Sequence, residues 1–187
     1  MTDGQTAKIK YLLKADVVRQ SELFGDHRPR KGIGMYLSML SARFLPVLLY
    51  RLSHCFYLKG MHRLAKFFSL INFLLFGIEI ATACRIGPGL FFPHTHGTVI
   101  GAFSIGSNAV IYQGVTLGAR DLDFTYDTEH RPVVGNDVIL GAGSKILGGL
   151  SLGDRVVVAA NAVVLKSFSD DLVVGGVPAK ILSSRKA

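Results

Sequence analysis

Ile105-Gly106-Ser107-Asn108-Ala109-Val110-Ile111 and Val134-Gly135-Asn136-Asp137-Val138-Ile139-Leu140 are two copies of one pattern, and that pattern decides the fold. An aliphatic residue leads each group of six and returns at the start of the next. From Ile80 the lead positions fall at 80, 86 and 92, slip by one, and continue at 99, 105, 111 and 117; they resume at 134, 140, 146, 152, 158 and 164. Gly follows the lead directly at 87, 106, 118, 135, 141 and 153. An ordinary alternating sheet also satisfies a period of six, but it does not hold phase over six consecutive hexads or repeat Gly at one phase. The spacing therefore predicts a solenoid. The lead residue points inward and stacks on its counterpart in the next coil. The small residue after it marks a tight turn. The fifth position (Ala109, Val115, Val138, Val156, Ala162) fills the remaining interior. A three-sided coil uses about 18 residues, so the block holds roughly four to five coils, with caps or partners at its open ends.

Charge divides the chain in two. Residues 1–76 hold 12 Lys and Arg against 4 Asp and Glu, whereas residues 77–187 hold 9 of each, so the whole net charge of +8 belongs to the first part. That part reads as helices: an amphipathic one over 6–20, a basic Pro/Gly linker from Phe24 to Gly34, and two apolar helices over 35–58 and 61–76, the first kinked at Pro46. The nearly charge-free run from Phe67 to Ile78 is too short to span a bilayer. No secretory signal opens the chain, which points to the cytoplasm. Two roles stay open for residues 1–76: packing on themselves or another subunit, and attachment to the inner membrane surface. No nucleic-acid module is present. Cys55, in a helix, and Cys84, at a fifth position, read as thiols of a reducing compartment.

Chemistry belongs where the repeat breaks. The first break is Phe92-Pro93-His94-Thr95-His96-Gly97; the second is the loop 119–133, with Arg120, Asp121, Asp123, Asp127, Glu129, His130 and Arg131. Loops on rigid scaffolds carry function disproportionately. His94 and His96 have the spacing of a metal-ligand pair, but no Cys or carboxylate cluster joins them, so no metal site is expected.

The segments Gly77-Ile78-Glu79-Ile80, Ile86-Gly87-Pro88-Gly89, Pro93 to Gly97, Gln113 to Gly118, Gly141 to Gly148 and Gly175 to Lys180, taken in order, resemble the serine acetyltransferase family of hexapeptide-repeat acyltransferases. The similarity runs over 77–182 and extends more weakly to Leu49-Tyr50-Arg51-Leu52-Ser53-His54. It implies an α+β chain in three parts: a helical region over 1–76, a left-handed parallel β-helix over 77–182 and a tail over 183–187. It also implies acetyl-CoA as donor, a hydroxyl acceptor, and a homotrimer with active sites between subunits. By the same resemblance His94 is the general base and Glu79, fifteen residues earlier, its carboxylate partner. His130 would reach the site from a neighbour, His96, Arg131 and Arg120 would border the acceptor, and Ala142, Gly143, Ala160, Gly175, Val177 and Lys180 would line acetyl-CoA, with Arg185 and Lys186 near its phosphate.

The departures bear on the acceptor. Pro93 stands where the family carries an Asp before its histidine, and His96 replaces a small residue. Glu129-His130-Arg131-Pro132 replaces the family's Arg-His-Pro, so that Arg131 takes the His position. The sequence therefore leans to a sugar hydroxyl of a surface polysaccharide, with L-serine as the alternative. A catalytically idle solenoid that only binds a partner is a third reading.

Overall fold

The computed structural model describes residues 3–25, 34, 38–123 and 125–185. Residues 26–33 of the expected linker, and Lys186, lie outside the described residues. Helix α1 spans Asp3–Leu23, α2 Leu45–Leu58 and α3 His62–Phe76. The sequence put a kinked helix over 35–58; residues 35–37 lie outside the described residues, and Pro46 lies in the first turn of α2. There the missing N–H costs nothing and the fixed φ favours the helix, so the proline starts a helix rather than bending one.

Fourteen short strands follow among the described residues: β1 (Ile78–Ile80), β2 (Arg85–Ile86), β3 (Thr98–Ile100), β4 (Ser104–Ile105), β5 (Val110–Ile111), β6 (Thr116–Gly118), β7 (Val133–Val134), β8 (Ile139–Leu140), β9 (Lys145–Leu147), β10 (Ser151–Leu152), β11 (Val157–Val158), β12 (Val163–Val164), β13 (Leu172–Gly176) and β14 (Ala179–Ser184). They stack in three sheets, in the orders β1-β3-β6-β9-β12, β10-β7-β4-β2 and β14-β13-β11-β8-β5, called here A, B and C. From β4 to β12 successive strands visit B, C and A in turn, and neighbours within a sheet pair in parallel except β13 with β14, so the chain winds as a three-sided coil. Inward residues form columns: Ile80, Ile100, Leu117, Ile146 and Val164 on sheet A, and Ile86, Ile105, Val134 and Leu152 on sheet B, each no more than 6% exposed. Burying one such side chain contributes roughly 1.5–3 kcal/mol, which makes the columns the main source of coil stability.

Three details depart from the sequence reading. The inward residue after the first break is Ile100 and not Val99: Ile100 is 1% exposed and pairs with Ile80, while Val99 is 39% exposed. The break holds two extra residues and the next side is one short, so the lead spacing runs eight and then five. The Gly after the lead residue is needed for close approach rather than for its φ at 87, 106, 135, 141 and 153, whereas a Cβ on Gly118 would meet open space. A Cβ on Gly106 would lie 2.5 Å from the carbonyl oxygen of Gly135, and one on Gly141 2.7 Å from the amide of Ala160. The left-handed turn comes two residues later, at Asn108, Asp137, Gly143 and Arg155. Last, the coil ends in an antiparallel hairpin, β13 (Leu172–Gly176) with β14, so residues 183–184 are strand and not tail. Arg185 packs back on the coil, its Nη1 donating to the carbonyls of Asp137 and Arg155 at 3.0 Å each.

The helices are bolted to the first coil by one buried ion pair. Asp16 of α1 and Arg51 of α2 have side chains 0% and 1% exposed and meet at 2.9 and 3.0 Å. Arg51 also donates to the carbonyls of Ile86 and Gly87, and Asp16 accepts from the amides of Gly89 and Leu90. Every polar atom of the pair thus has a partner; removing one member would leave the other charged and buried, at roughly 3–5 kcal/mol. Tyr50 completes the joint by donating to the Cys84 carbonyl at 2.9 Å. Burial pushes the Tyr50 phenol well above its ordinary range and the Cys84 thiol up to about 12, so both stay neutral. Cys55, by contrast, is half-buried.

Candidate active site

The three corners of the coil carry different cargo. The corner from sheet C to sheet A holds Pro93–Gly97, then Gln113–Gly114, Ala142–Gly143 and Ala160–Asn161, one above another. Backbone bonds tie the levels: Gly114 N–H to the His96 carbonyl (3.1 Å), Gly143 to Gln113 (2.9 Å) and Asn161 to Ala142 (2.8 Å). Small residues keep this ridge low, and Gly97, Gly114, Gly143 and Asn161 all adopt positive φ. The first break and three of the residues expected to line acetyl-CoA therefore share one straight edge. Gly175 is buried at its far end, where its backbone lies against Ala159, while Val177 and Lys180 are exposed in the terminal hairpin.

The break itself is fastened to the end of α3. Thr95 donates from its hydroxyl to the Phe76 carbonyl at 2.8 Å, and the Gly97 amide donates to Gly77 at 2.9 Å. The His96 imidazole lies over Gly77, where an added Cβ would come within 2.7 Å of its Nδ1. Gly77 ends α3 in the left-handed conformation, so glycine is required there both for φ and for room. Beside this joint opens a cavity of about 640 Å³, lined by Arg43, Phe76, Pro93, His94, His96 and Gln113 among others. His94 is exposed at its edge. The side-chain Oε1 of Gln113 is buried with no hydrogen-bond partner among the described residues. Leaving such an acceptor unpaired is costly, which marks it as a place where a ligand donor fits. Sequence reasoning missed Gln113; its place one level above His96 on the ridge becomes visible only with the corner register.

Glu79 projects outward from β1, exposed, with Val99 as its neighbour on the next rung. Among the described residues, no hydrogen bond or ion pair joins Glu79 to His94. His94, His96 and Gln113 thus share one cavity, whose lining does not include Glu79.

The second break occupies the next corner, between sheets A and B, and is closed on itself. Arg131 donates to the Asp123 carboxylate from Nε and Nη2 (3.1 and 2.7 Å) and to the Gly101 carbonyl from Nη1 (2.8 Å). Its guanidinium also stacks 3.8 Å over the Tyr126 ring. Asp123 further accepts from Thr125 and from the Asp127 amide, and Tyr126 donates to the Ala102 carbonyl at 2.7 Å. Desolvation by burial works against the Asp123 charge, but the hydrogen bonds from Thr125 and Arg131 prevail and hold its carboxyl below the ordinary range. Burial raises the Tyr126 phenol. Arg131, expected to border the acceptor, thus spends its donors on Asp123 of its own loop and on Gly101 of the preceding coil. His130 is exposed, with Nδ1 3.1 Å from Asp127, and Arg120 is exposed at the loop's start.

Comparison with known proteins points the same way as the ridge. Residues 131–166 match the family described as bacterial transferase hexapeptide (six repeats). The serine acetyltransferase of Helicobacter pylori strain J99 is 38% identical over 138 residues, covering 73% of this chain and 79% of that protein. The chain belongs to the serine acetyltransferase family. The Synechococcus elongatus serine acetyltransferase is 33% identical over 150 residues, 80% of this chain but 60% of that relative, so the chain spans well under two thirds of that family member's length. Among solved family structures, the Neisseria gonorrhoeae serine acetyltransferase superposes with TM-score 0.82 at 29% identity, covering 97% of this chain and 68% of that one. A serine acetyltransferase in complex with CoA superposes at 0.77 and 28% identity, over 94% and 70% of the two chains. The sugar acceptor favoured by the sequence is not the one these family names carry; they name the alternative.

Proposed function

We propose that the protein is an acetyl-CoA-dependent O-acetyltransferase whose acceptor hydroxyl is activated by His94. The observation that carries this reading is the alignment of His94, Gln113, Gly143 and Ala160 on one low ridge. A CoA pantetheine arm lying along Ala142, Gly143 and Ala160, with Gly175, Val177 and Lys180 at the far end, delivers its thioester to the cavity beside His94. A solved relative named as a CoA complex supports that donor.

The chemistry is a single acyl transfer. A hydroxyl is a weak nucleophile near neutral pH, and a neutral imidazole accepts its proton as the oxygen attacks the thioester carbonyl. The tetrahedral intermediate expels CoA thiolate, which recovers the proton from the imidazolium. General-base help of this kind contributes roughly 10²–10⁴-fold. The Gln113 amide, at the cavity wall, supplies hydrogen-bonding groups to the acceptor or the oxyanion. Glu79 orients the imidazole once the site is filled, a pairing that unliganded sites often lack.

The left-handed sense of the family coil and a homotrimer complete the reading. The His94 ridge and the loop lie on the two corners that flank sheet A. A three-fold axis facing sheet A sets each ridge against a neighbour's loop, which brings His130 and Arg120 of that neighbour to the cavity.

For the acceptor, the relatives' names make L-serine the first candidate. A sugar hydroxyl remains a second reading on one specific observation: the Arg131 guanidinium is already paired with Asp123 and Gly101, and Pro93 brings no carboxylate, so two charges suited to an amino acid are missing. CoA release in the presence of L-serine, and separately of acetylatable oligosaccharides, decides between them. Turnover with serine alone establishes the first acceptor; turnover with glycan alone establishes the second; turnover with neither rejects the transferase.

A further inference from the structure

The face of α3 turned away from the coil and from α2 has no partner among the described residues outside its own helix. Ala65 and Asn72, seven residues apart, are buried against α2, where Asn72 donates to the Pro46 carbonyl and the Ala65 carbonyl accepts from Ser53. On the opposite side Phe67, Leu70, Phe73 and Leu74 are 53, 53, 54 and 68% exposed. Arg63 and Lys66, one turn earlier on the same face, are exposed as well. Their spacing of three and four makes one stripe, cationic at its start and apolar beyond. Four large apolar side chains in a row exceed what an ordinary monomer surface leaves open.

The charge around this stripe selects its occupant. Helices α2 and α3 hold no Asp or Glu, and the charges on the stripe are Arg63 and Lys66. A second copy of the same face would bring only more cations, whereas an anionic surface neutralises them. Helix α3 has 15 residues, about 22 Å at the helical rise, against a hydrocarbon core of about 30 Å. Among the described residues no helix is long and apolar enough to cross a membrane. We infer that α3 lies flat on an anionic lipid surface, with Phe67, Leu70, Phe73 and Leu74 among the acyl chains and Arg63 and Lys66 on the headgroups.

The position of α3 gives the contact a use. Its last residues, Leu75 and Phe76, line the His94 cavity. Docking through this helix holds the cavity at the lipid surface, within reach of acceptors carried there. The inference concerns where the enzyme sits and holds for either acceptor.

Flotation of the full-length protein tests it, using phosphatidylethanolamine vesicles doped with phosphatidylglycerol and, in parallel, pure phosphatidylcholine vesicles. The parent protein should float with the anionic vesicles only, and less at high salt. Leu70→Glu/Leu74→Glu should weaken binding about a hundredfold, and Arg63→Glu/Lys66→Glu about tenfold or more, with native mass and unfolding midpoint unchanged. Failure of the parent to float overturns the inference, as does flotation that ignores the substitutions. A fall in native mass for the Leu70/Leu74 variant also overturns it, by showing that a second copy covers the stripe. CoA release with a soluble acceptor, measured on the same samples, should match the parent in every variant, so loss of docking and loss of the transferase reading give separate signals.

Discussion

The coil is interrupted twice, and the two interruptions have opposite character. The loop over 119–132 spends its polar groups on itself and on the coil beneath it: Arg131 is bound by Asp123, Gly101 and the face of Tyr126, and Asp123 by Thr125, Asp127 and Arg131. The shorter break at Pro93–Gly97 is anchored through Thr95 and Gly97, yet it leaves the two histidines and Gln113 facing a cavity. Richness in charged residues does not locate the site. A polar group already satisfied by the fold builds shape; one left unsatisfied beside open space is available for a ligand.

Four substitutions or conditions would break or sharpen that contrast. The largest effect is expected on the ridge, where Ala160→Trp should raise the KM for acetyl-CoA at least about a hundredfold by filling the groove, with the thermal midpoint unchanged; steady-state kinetics check both. At the closed break, Arg131→Ala should speed amide exchange across 119–132 about tenfold or more by hydrogen-exchange mass spectrometry, because the Asp123 carboxylate loses its guanidinium partner and the Gly101 carbonyl its side-chain donor. Gln113→Leu should do the reverse of a structural lesion. Replacing an unpartnered buried carbonyl by an apolar isostere should leave the unfolding midpoint level or raise it, while kcat/KM falls several-fold. The smallest effect is in pH. Because the folded Asp123 carboxyl lies below its ordinary 3.8, the stability it contributes is complete above that value and is lost as pH falls through the folded pKa. Exchange protection in the loop should therefore decline below about pH 4, and Asp123→Asn should remove that decline.

Much of this was legible in the sequence, for reasons that are local. A period of six with Gly at one phase fixes the three-sided coil, and the places where the period fails mark both the His94 corner and the projecting loop. Other features depend on contacts between distant segments and leave no periodic trace. Nothing in the spacing tells whether Val99 or Ile100 turns inward, since both are β-branched and the break absorbs the difference; the rung below, through Ile80, decides it. The Asp16–Arg51 pair joins residues 35 apart in separate helices. Arg131 reads as a free cation in a polar loop until Asp123 and Tyr126 fold beneath it. Gln113 gains its meaning from standing one level above His96. The final hairpin was hidden because Leu172 to Gly176 continues the apolar pattern of a coil, while the chain then reverses on itself.

The most direct test of the account is the initial rate of CoA release from acetyl-CoA by His94→Ala beside the parent, with a hydroxyl acceptor that the parent uses and with thermal midpoints taken on the same samples. The account predicts a rate lower by roughly 10²–10⁴ at an unchanged midpoint. A rate within about twofold of the parent, at equal stability, would contradict it, because a general base cannot be removed at so small a cost.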